Sequence, residues 1–360
     1  MRFRRNLVLV VVAGVVGAAG GVTATVTAVG EAGASANGAG GVSSASRVGW
    51  QHAIAALPAP AGGCFRASYP VLAWHAAACR AAPTVPFGPA VDALPATASR
   101  PVVHTVGDGN DYSAVVTGLI SQATGAFTDV SPSITEKGRY GGRGATFPNT
   151  YSLQLNSEFF TSPACSGSSD PAQCLGWQQF IYDSAADSVF MQYWLIDYGN
   201  NCPASWNPFE GSCYVNSGAT AFVGGTLTAS ELATTQLAGS AHLGGTDSVE
   251  LSNGSQAGIV KNADTVLTLA GSWNTTEFGV FGDGGGTEAK FGKKTTLEET
   301  TTLVSTGHSA PSCVVEGFTG ETNNLKLTST PALGTVLSPT IGSAQTDAKA
   351  QPATCATAAG

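Results

Sequence analysis

The stretch LGWQQFIYDSAADSVFMQYWLIDY, residues 175–198, decides the fold of this 360-residue chain. Two runs rich in apolar and aromatic residues, 175–182 and 189–198, flank a polar segment that is typical of a turn. Because side chains alternate along a strand, pairing Tyr182 with Val189 puts six residues on one face of an antiparallel hairpin. They form three cross-strand pairs: Trp177 with Trp194, Gln179 with Gln192, and Ile181 with Phe190.

The opposite face of this hairpin is also largely apolar. It carries Gln178, Phe180, Tyr182, Val189, Met191 and Tyr193. A strand exposed to water on one face would alternate apolar with polar residues instead. The hairpin is therefore predicted to lie in the centre of a sheet.

Outside the hairpin, residues 102–330 contain short alternating runs separated by clusters of Gly, Asn, Asp and Ser. This spacing predicts an all-β protein, an antiparallel β-sandwich with one core. Residues 331–360, rich in Ala and Thr, are expected to form a loose C-terminal tail.

The N-terminus has the pattern of an export signal. Arg2, Arg4 and Arg5 precede an apolar run of residues 7–16, and residues 34–36 read Ala-Ser-Ala, a cleavage site. The apolar run is shorter than the ~20 residues that span a bilayer. We expect residues 1–36 to be a signal peptide and the protein to be secreted and extracellular, with no membrane association in the mature form.

Two segments separate the signal from the sandwich. Residues 37–62 are rich in Gly, Ala and Ser and are expected to form a flexible linker. Residues 63–101 hold two cysteines and several prolines, which are incompatible with a helix or a central strand. We expect a disulfide-closed arm that packs Phe65, Tyr69 and Trp74 on the main body.

All eight cysteines follow the signal, and no two have the Cys-x-x-Cys spacing of a metal site. An even number in an exported chain favours disulfides. Sequence neighbours indicate Cys64–Cys79, Cys165–Cys174 and Cys202–Cys213, with Cys313–Cys355 by elimination. Many other pairings of eight cysteines stay open.

Charge is scarce and its balance is acidic. Charged residues make up 11% of the chain, against about 25% in an ordinary protein, and the net charge is −8. This composition excludes nucleic acid and anionic membranes as partners. We expect a monomer.

No motif predicts a cofactor or a metal. The five histidines are scattered, and no Gly-x-Ser-x-Gly elbow is present. The acidic residues at 108–111 could supply oxygen ligands to calcium, but a plain turn accounts for them as well.

The two glutamines between the two tryptophans of the hairpin have two interpretations. As structure, Gln179 and Gln192 bond across a buried ladder while Trp177 and Trp194 fill the core. As a site, the same four residues line an aromatic groove that binds an extracellular glycan or peptide.

The runs GWQQF at 176–180 and FMQYWL at 190–195 resemble a hairpin of the glutamic peptidases, in both the eqolisin and the neprosin branches. The run NTTEFGVFGD at 274–283 resembles the eqolisin strand that carries the catalytic glutamate. The resemblance implies a β-sandwich of concanavalin type. In eqolisins it also implies a glutamine and a glutamate that activate water at acid pH.

This sequence departs from both catalytic patterns. Gln178 or Gln179 matches the eqolisin glutamine, but Phe281 stands at the eqolisin glutamate and Cys174 at the neprosin glutamate. Neither of those two residues can act as a general base. Glu277 or Asp283 could replace them in another register. Asp283 is followed by three glycines, which is typical of a turn. The polar neighbours of Glu277 predict that Glu277 is exposed to solvent.

The sequence thus favours a secreted, non-catalytic β-sandwich that binds an extracellular glycan or peptide. The alternative is an acid hydrolase of glutamic-peptidase type with rearranged catalytic residues, for which the candidates are Gln178, Gln179 and Glu277.

Overall fold

The computed structural model describes residues 44–89, 111–222, 225–315, 317, 319–328, 330–347 and 354–355. The predicted signal peptide lies outside these residues, as do residues 37–43 of the predicted linker and 90–101 of the predicted arm. Within the described part of the chain, no helix is both long and apolar enough to cross a membrane.

One α-helix, α1 (Ser44–Ala55), precedes the strands, and short 3₁₀ helices occupy Pro163–Gly167, Ala229–Thr234, Asp264–Val266 and Leu269–Gly271. The strands among the described residues are β1 (Gly63–Ser68), β2 (His75–Ala77), β3 (Arg80–Ala81), β4 (Ser113–Val115), β5 (Ile120–Val130), β6 (Glu136–Gly138), β7 (Phe147–Pro148), β8 (Ser152–Ser157), β9 (Leu175–Asp183), β10 (Ser188–Ile196), β11 (Asn207–Phe209), β12 (Ser212–Asn216), β13 (Gly218–Ala221), β14 (Gln236–Ser240), β15 (Thr246–Ser252), β16 (Gln256–Ala263), β17 (Thr275–Phe281), β18 (Glu288–Phe291), β19 (Thr296–Ser305), β20 (Ser312–Val314), β21 (Thr322–Asn323), β22 (Lys326–Leu327), β23 (Ala332–Thr335) and β24 (Ser338–Thr346).

These strands form two large sheets and one small one. Sheet 1 has the order β2-β1-β16-β15-β14-β5-β19-β24-β22, and β23 pairs with β24. Sheet 2 has the order β11-β12-β10-β9-β8-β17-β4-β20, and β13 pairs with both β10 and β3. The small sheet has the order β21-β18-β6-β7.

The core lies between sheets 1 and 2. The rings of Phe278 in β17 and Phe127 in β5 lie 5.4 Å apart, centroid to centroid. The Phe180 ring of β9 lies over Gly239 of β14, where a Cβ atom would come within 2.5 Å of it. The predicted antiparallel β-sandwich is therefore confirmed.

The central hairpin forms with the predicted register. β9 and β10 pair Tyr182 with Val189 and Gln179 with Gln192. They lie between β8 on one side and β12 with β13 on the other, which confirms the central position.

The structure forms α1 where the sequence predicts a flexible linker. Trp50 and Ile54, one helical turn apart, are buried against Ala67 of β1 and Ala257 of β16. The indole nitrogen of Trp50 also donates to the carbonyl of Val71 at 2.8 Å. Two large apolar side chains thus fix a segment that is otherwise rich in small residues.

The arm is closed by the Cys64–Cys79 disulfide, as predicted, but its first strand is a regular part of sheet 1. β1 pairs with β16 over six residues and with β2 on its other side. The further disulfides join Cys165 with Cys174, Cys202 with Cys213, and Cys313 with Cys355. Four disulfides fit an oxidising, extracellular compartment.

Part of the predicted loose tail is also ordered. β24 pairs with β19 over seven residues. Ile341 and Gln345 of β24 are buried, whereas their immediate neighbours are half-buried or exposed. The tail therefore supplies a strand to sheet 1 before Cys355 joins it to Cys313.

Gly125 of β5 tests how tightly the sheets pack. A Cβ atom at Gly125 would lie 2.1 Å from Cδ2 of Phe278. Gly125→Ala should therefore destabilise the protein by about 1–3 kcal/mol, because the ring must leave its place. Thermal denaturation measures this. The control is Gly49→Ala in α1, where nothing lies within 4 Å and alanine favours the helix. Equal melting temperatures for the two variants would contradict this packing.

Candidate functional site

Five polar side chains form a row across sheet 2, directly opposite one another in register. They are Asn216, Gln192, Gln179, Asn156 and Glu277, on β12, β10, β9, β8 and β17. Gln178 and Phe180 face sheet 1, so alternation turns this row to the opposite face of sheet 2. All but Asn216 are fully buried. We call these five residues the amide row.

Trp194 fixes the central amides of the row. Its indole nitrogen donates to Oε1 of Gln179 at 2.9 Å and to Oε1 of Gln192 at 3.0 Å. Nε2 of Gln192 donates to Oδ1 of Asn216 at 2.8 Å. Each amide is thereby held in a single orientation.

The network continues along β8 to the carboxylate end of the row. Nε2 of Gln179 donates to Oε1 of Gln154 at 3.0 Å. Nδ2 of Asn156 donates to the same oxygen at 3.3 Å and to Oε2 of Glu277 at 2.9 Å. A continuous chain of hydrogen bonds therefore joins Asn216 to Glu277.

The structure brings Trp177, Gln179, Gln192 and Trp194 together on one face, and all four are fully buried. The rings of Trp177 and Trp194 lie 6.1 Å apart, and Trp194 stacks on Tyr214 at 5.0 Å. Protein therefore covers both indoles. Gln178 lies on the face toward sheet 1, where its Nε2 donates to Oδ2 of Asp247 at 2.8 Å.

The arm covers one end of the amide row. Residues 83–89, which we call the arm segment, cross β12 and β10. Side chains of those strands donate to three successive carbonyls: Nδ2 of Asn216 to Pro83 at 2.7 Å, the Tyr214 hydroxyl to Thr84 at 2.8 Å, and Nε2 of Gln192 to Val85 at 3.3 Å. The amide nitrogen of Phe87 donates back to Oε1 of Gln192 at 2.8 Å.

Backbone groups hold the arm segment from other loops. The amide of Gly285 donates to the carbonyl of Pro86 at 2.9 Å, and the amide of Gly320 to the carbonyl of Gly88 at 2.8 Å. Pro89 forms an isolated β-bridge with Thr319. All six hydrogen bonds described for the segment engage its main chain, so none depends on the identity of its side chains.

Glu277 is fully buried, so the prediction that it is exposed to solvent is wrong. Its strand, β17, lies between β8 and β4, and the neighbouring threonines Thr275 and Thr276 are buried too. The polar residues around Glu277 belong to a buried polar layer.

A second carboxyl group lies beside Glu277. Asp111 forms a side-chain hydrogen bond with Glu277, and burial together with the charges of Glu277 and Glu299 holds the pKa of Asp111 well above its usual range. Two adjacent buried carboxyl groups cannot both ionise readily, so the pair retains a proton. Of the acidic residues at 108–111 considered for calcium, Asp111 is described and the others are not.

A third carboxyl group, Glu321, is buried beside the row. Oε2 accepts from the Thr319 hydroxyl and Oε1 from the amide of Gly286 at 3.0 Å. Gln154 also hydrogen-bonds Glu321, and burial raises the Glu321 pKa to about 7. Gly320, whose amide donates to the arm segment, directly precedes Glu321 in the sequence.

The site also contains Gln154, Asn156 and Glu321, which were not predicted from the sequence, and Asp111, which was considered only as a calcium ligand. A signal for two of them is present, because Ser152, Gln154 and Asn156 alternate with Leu153 and Leu155. That alternation predicts a polar face on β8. Among the described residues, no group of three His, Cys, Asp or Glu side chains is placed to hold a metal ion.

Comparison with known proteins gives a distant likeness in fold. No protein-family model and no curated protein matches the chain. A solved structure of SCP-B, a member of the eqolisin family of peptidases, in a complex with the tripeptide Ala-Ile-His, is similar. It shares 11% identity, with 65% of this chain and 97% of that chain covered, at a TM-score of 0.29. A TM-score this low supports no conclusion about activity.

The buried acids predict a protein that is more stable at acid pH. Burial raises the pKa of Glu299 and of Glu321 from an ordinary 4.5 to about 7. The folded state thus holds these protons more tightly than the unfolded chain does. Their contribution is fully present below pH 4.5 and is lost as the pH rises through about 7. Denaturant unfolding at several pH values should give free energies that fall over this window.

Glu299→Gln isolates one group, because the amide stays neutral at every pH. The variant should match the parent at about pH 4 and exceed it by about 3 kcal/mol at about pH 8. Glu298→Gln, at the exposed neighbouring position of β19, is the control and should follow the parent throughout. A Glu299→Gln curve parallel to that of the parent would contradict the shift.

Proposed function

We propose that this protein is a secreted β-sandwich that binds extended peptides across the β12–β10 end of the amide row. The observation that carries the proposal is the hydrogen bonding of residues 83–89. In these residues the chain's own peptide is bound through its main chain by Asn216, Tyr214 and Gln192.

Gln192 supports a peptide as the ligand. Its amide donates to the carbonyl of Val85 and accepts from the nitrogen of Phe87, two main-chain groups on alternate residues of one segment. Recognition of this kind gives affinity from the main chain and leaves selectivity to pockets for side chains.

A glycan fits the site less well. Sugars are held mainly by stacking on exposed aromatic faces with hydrogen bonds at their rims. Trp177 and Trp194 are fully buried, and Trp194 is stacked on Tyr214. The indole nitrogen of Trp194 is committed to two amides of the row. Of the two ligands that the sequence left open, we therefore propose a peptide rather than a glycan.

An external peptide must displace the arm segment. Phe87→Ala in the full chain should release the segment, because Phe87 is its fully buried aromatic side chain. A synthetic peptide with the sequence of residues 83–89, PTVPFGP, should then bind this variant about tenfold more tightly than it binds the parent. Isothermal titration calorimetry measures both affinities, and hydrogen exchange reports release of the segment.

Phe147→Ala is the matched control, because Phe147 is 59% exposed and lies outside the arm. It should neither release the segment nor create peptide binding. Gln192→Leu added to Phe87→Ala should abolish binding, since both hydrogen bonds to the peptide are lost. If the released groove takes up no peptide, the proposal is wrong.

Acid hydrolysis is the second candidate function, and the Asp111–Glu277 pair favours it. A protonated and an ionised carboxyl group side by side can supply an acid and a base. Glu321 offers a further carboxyl group, next to the residue that holds Gly88. Amide side chains that could stabilise developing charge lie between them.

Digestion of an unfolded protein across about pH 3–8 separates the two functions, since buried carboxyl pairs of this kind work in acid. On the binding proposal, the full chain and its Phe87→Ala variant should release no fragments. Cleavage that disappears in Glu277→Gln or Glu321→Gln, with an unchanged circular dichroism spectrum, would assign acid hydrolysis instead. Cleavage that persists in both variants and in Glu298→Gln would point to a contaminating protease.

A further inference from the structure

One side chain of the arm segment is completely enclosed. Phe87 is fully buried and packs against Ile181, Phe190 and Ala219. Its ring lies 6.0 Å from that of Phe190, centroid to centroid. By contrast, Thr84 is exposed, and Pro83, Val85 and Pro86 are partly so. Pro89, at the end of the segment, is buried as well, so Phe87 is the aromatic anchor that the segment inserts into the body of the protein.

The pocket for this anchor is built into the central hairpin. Ile181 and Phe190 are paired across β9 and β10, one step further along the same face than Gln179 and Gln192. Gln192 thus holds the main chain on both sides of Pro86 while its neighbours on the sheet enclose the next side chain. An alanine in place of the ring would leave most of this apolar pocket unfilled.

The position after the anchor leaves little room for a side chain. A Cβ atom at Gly88 would lie 3.1 Å from Cε1 of Phe209 and 3.5 Å from Cη2 of Trp194. Gly88 cannot withdraw from these rings easily, because Gly320 holds its carbonyl at 2.8 Å. Alanine would require the half-buried Phe209 ring to shift by a few tenths of an ångström, and the larger side chain of valine would crowd both rings further.

We propose that the groove selects extended peptides in which an aromatic residue is followed directly by glycine. This inference rests on the peptide-binding function proposed above and adds the chemistry of its ligand. The aromatic side chain fills the pocket of Ile181, Phe190 and Ala219. Glycine passes between the ring edges of Phe209 and Trp194.

The test uses the full chain carrying Phe87→Ala and four synthetic peptides. The reference peptide is PTVPFGP. The second carries alanine at the place of Phe87, the third carries valine at the place of Gly88, and the fourth carries alanine at the place of the exposed Thr84. Calorimetry should give equal affinities for the first and the fourth. The second and third should bind at least about tenfold more weakly.

A compensating variant separates crowding from general loss of affinity. Phe209→Ala, added to Phe87→Ala, opens the space beside the glycine position, and Phe209 is only half-buried. It should restore binding of a peptide with alanine at the place of Gly88 to within about threefold of the reference peptide. A structural defect at Phe209 would weaken both peptides alike.

The outcomes are distinguishable. Weaker binding of the second and third peptides than of the reference peptide supports the selectivity, provided that Phe209→Ala restores binding of the peptide with alanine at the place of Gly88. Equal binding of all four peptides overturns the selectivity and leaves peptide binding standing. Absence of binding by every peptide, although hydrogen exchange reports release of the arm segment, overturns the proposed function and this inference with it.

Discussion

Burying a row of amides across the centre of a sheet obliges the protein to give each amide a partner. A buried amide without a hydrogen bond costs on the order of 1–3 kcal/mol, and this row runs over five adjacent strands. Within the row, Trp194 and the neighbouring amides satisfy one another. At the β12–β10 end, the arm segment supplies further partners for Asn216 and Gln192. The position of the arm is thus a consequence of the polarity of the sheet beneath it.

The burial of polar groups also explains the raised pKa values of the buried acids. Carboxyl groups that share a buried polar layer with amides are costly to ionise, and Asp111, Glu299 and Glu321 all have raised pKa values. Protonated, they serve as further hydrogen-bonding groups of the layer. Below about pH 7, Glu299 and Glu321 hold their protons and are therefore less costly to bury.

The sequence was informative where both faces of a strand have to be apolar. The pairing of Trp177 with Trp194 and Gln179 with Gln192 follows from the position of the turn together with alternation, since a shift by one residue would pair the wrong faces. The predicted exposure of Glu277 is wrong because polar neighbours occur in a buried polar layer as well as at a surface. What distinguishes a buried polar layer from a surface is what covers it, and Asp111, which hydrogen-bonds Glu277, is far from β17 in sequence. α1 and β24 were missed for a similar reason, because each is fixed by partners remote in the chain, such as Ala257 for Trp50 and β19 for Ile341.

The Cys64–Cys79 loop and the pairing of β3 with β13 lie immediately before the arm segment. In the proposed function, a segment that leaves the groove therefore remains attached beside it. Its return is a first-order event that dilution cannot slow, whereas capture of an external peptide depends on concentration. The groove and its resident sequence are also encoded together. A mutation that changes the shape of the pocket also affects the fit of Phe87 and Gly88 in the same molecule. The pocket and these two residues are therefore expected to change together during evolution.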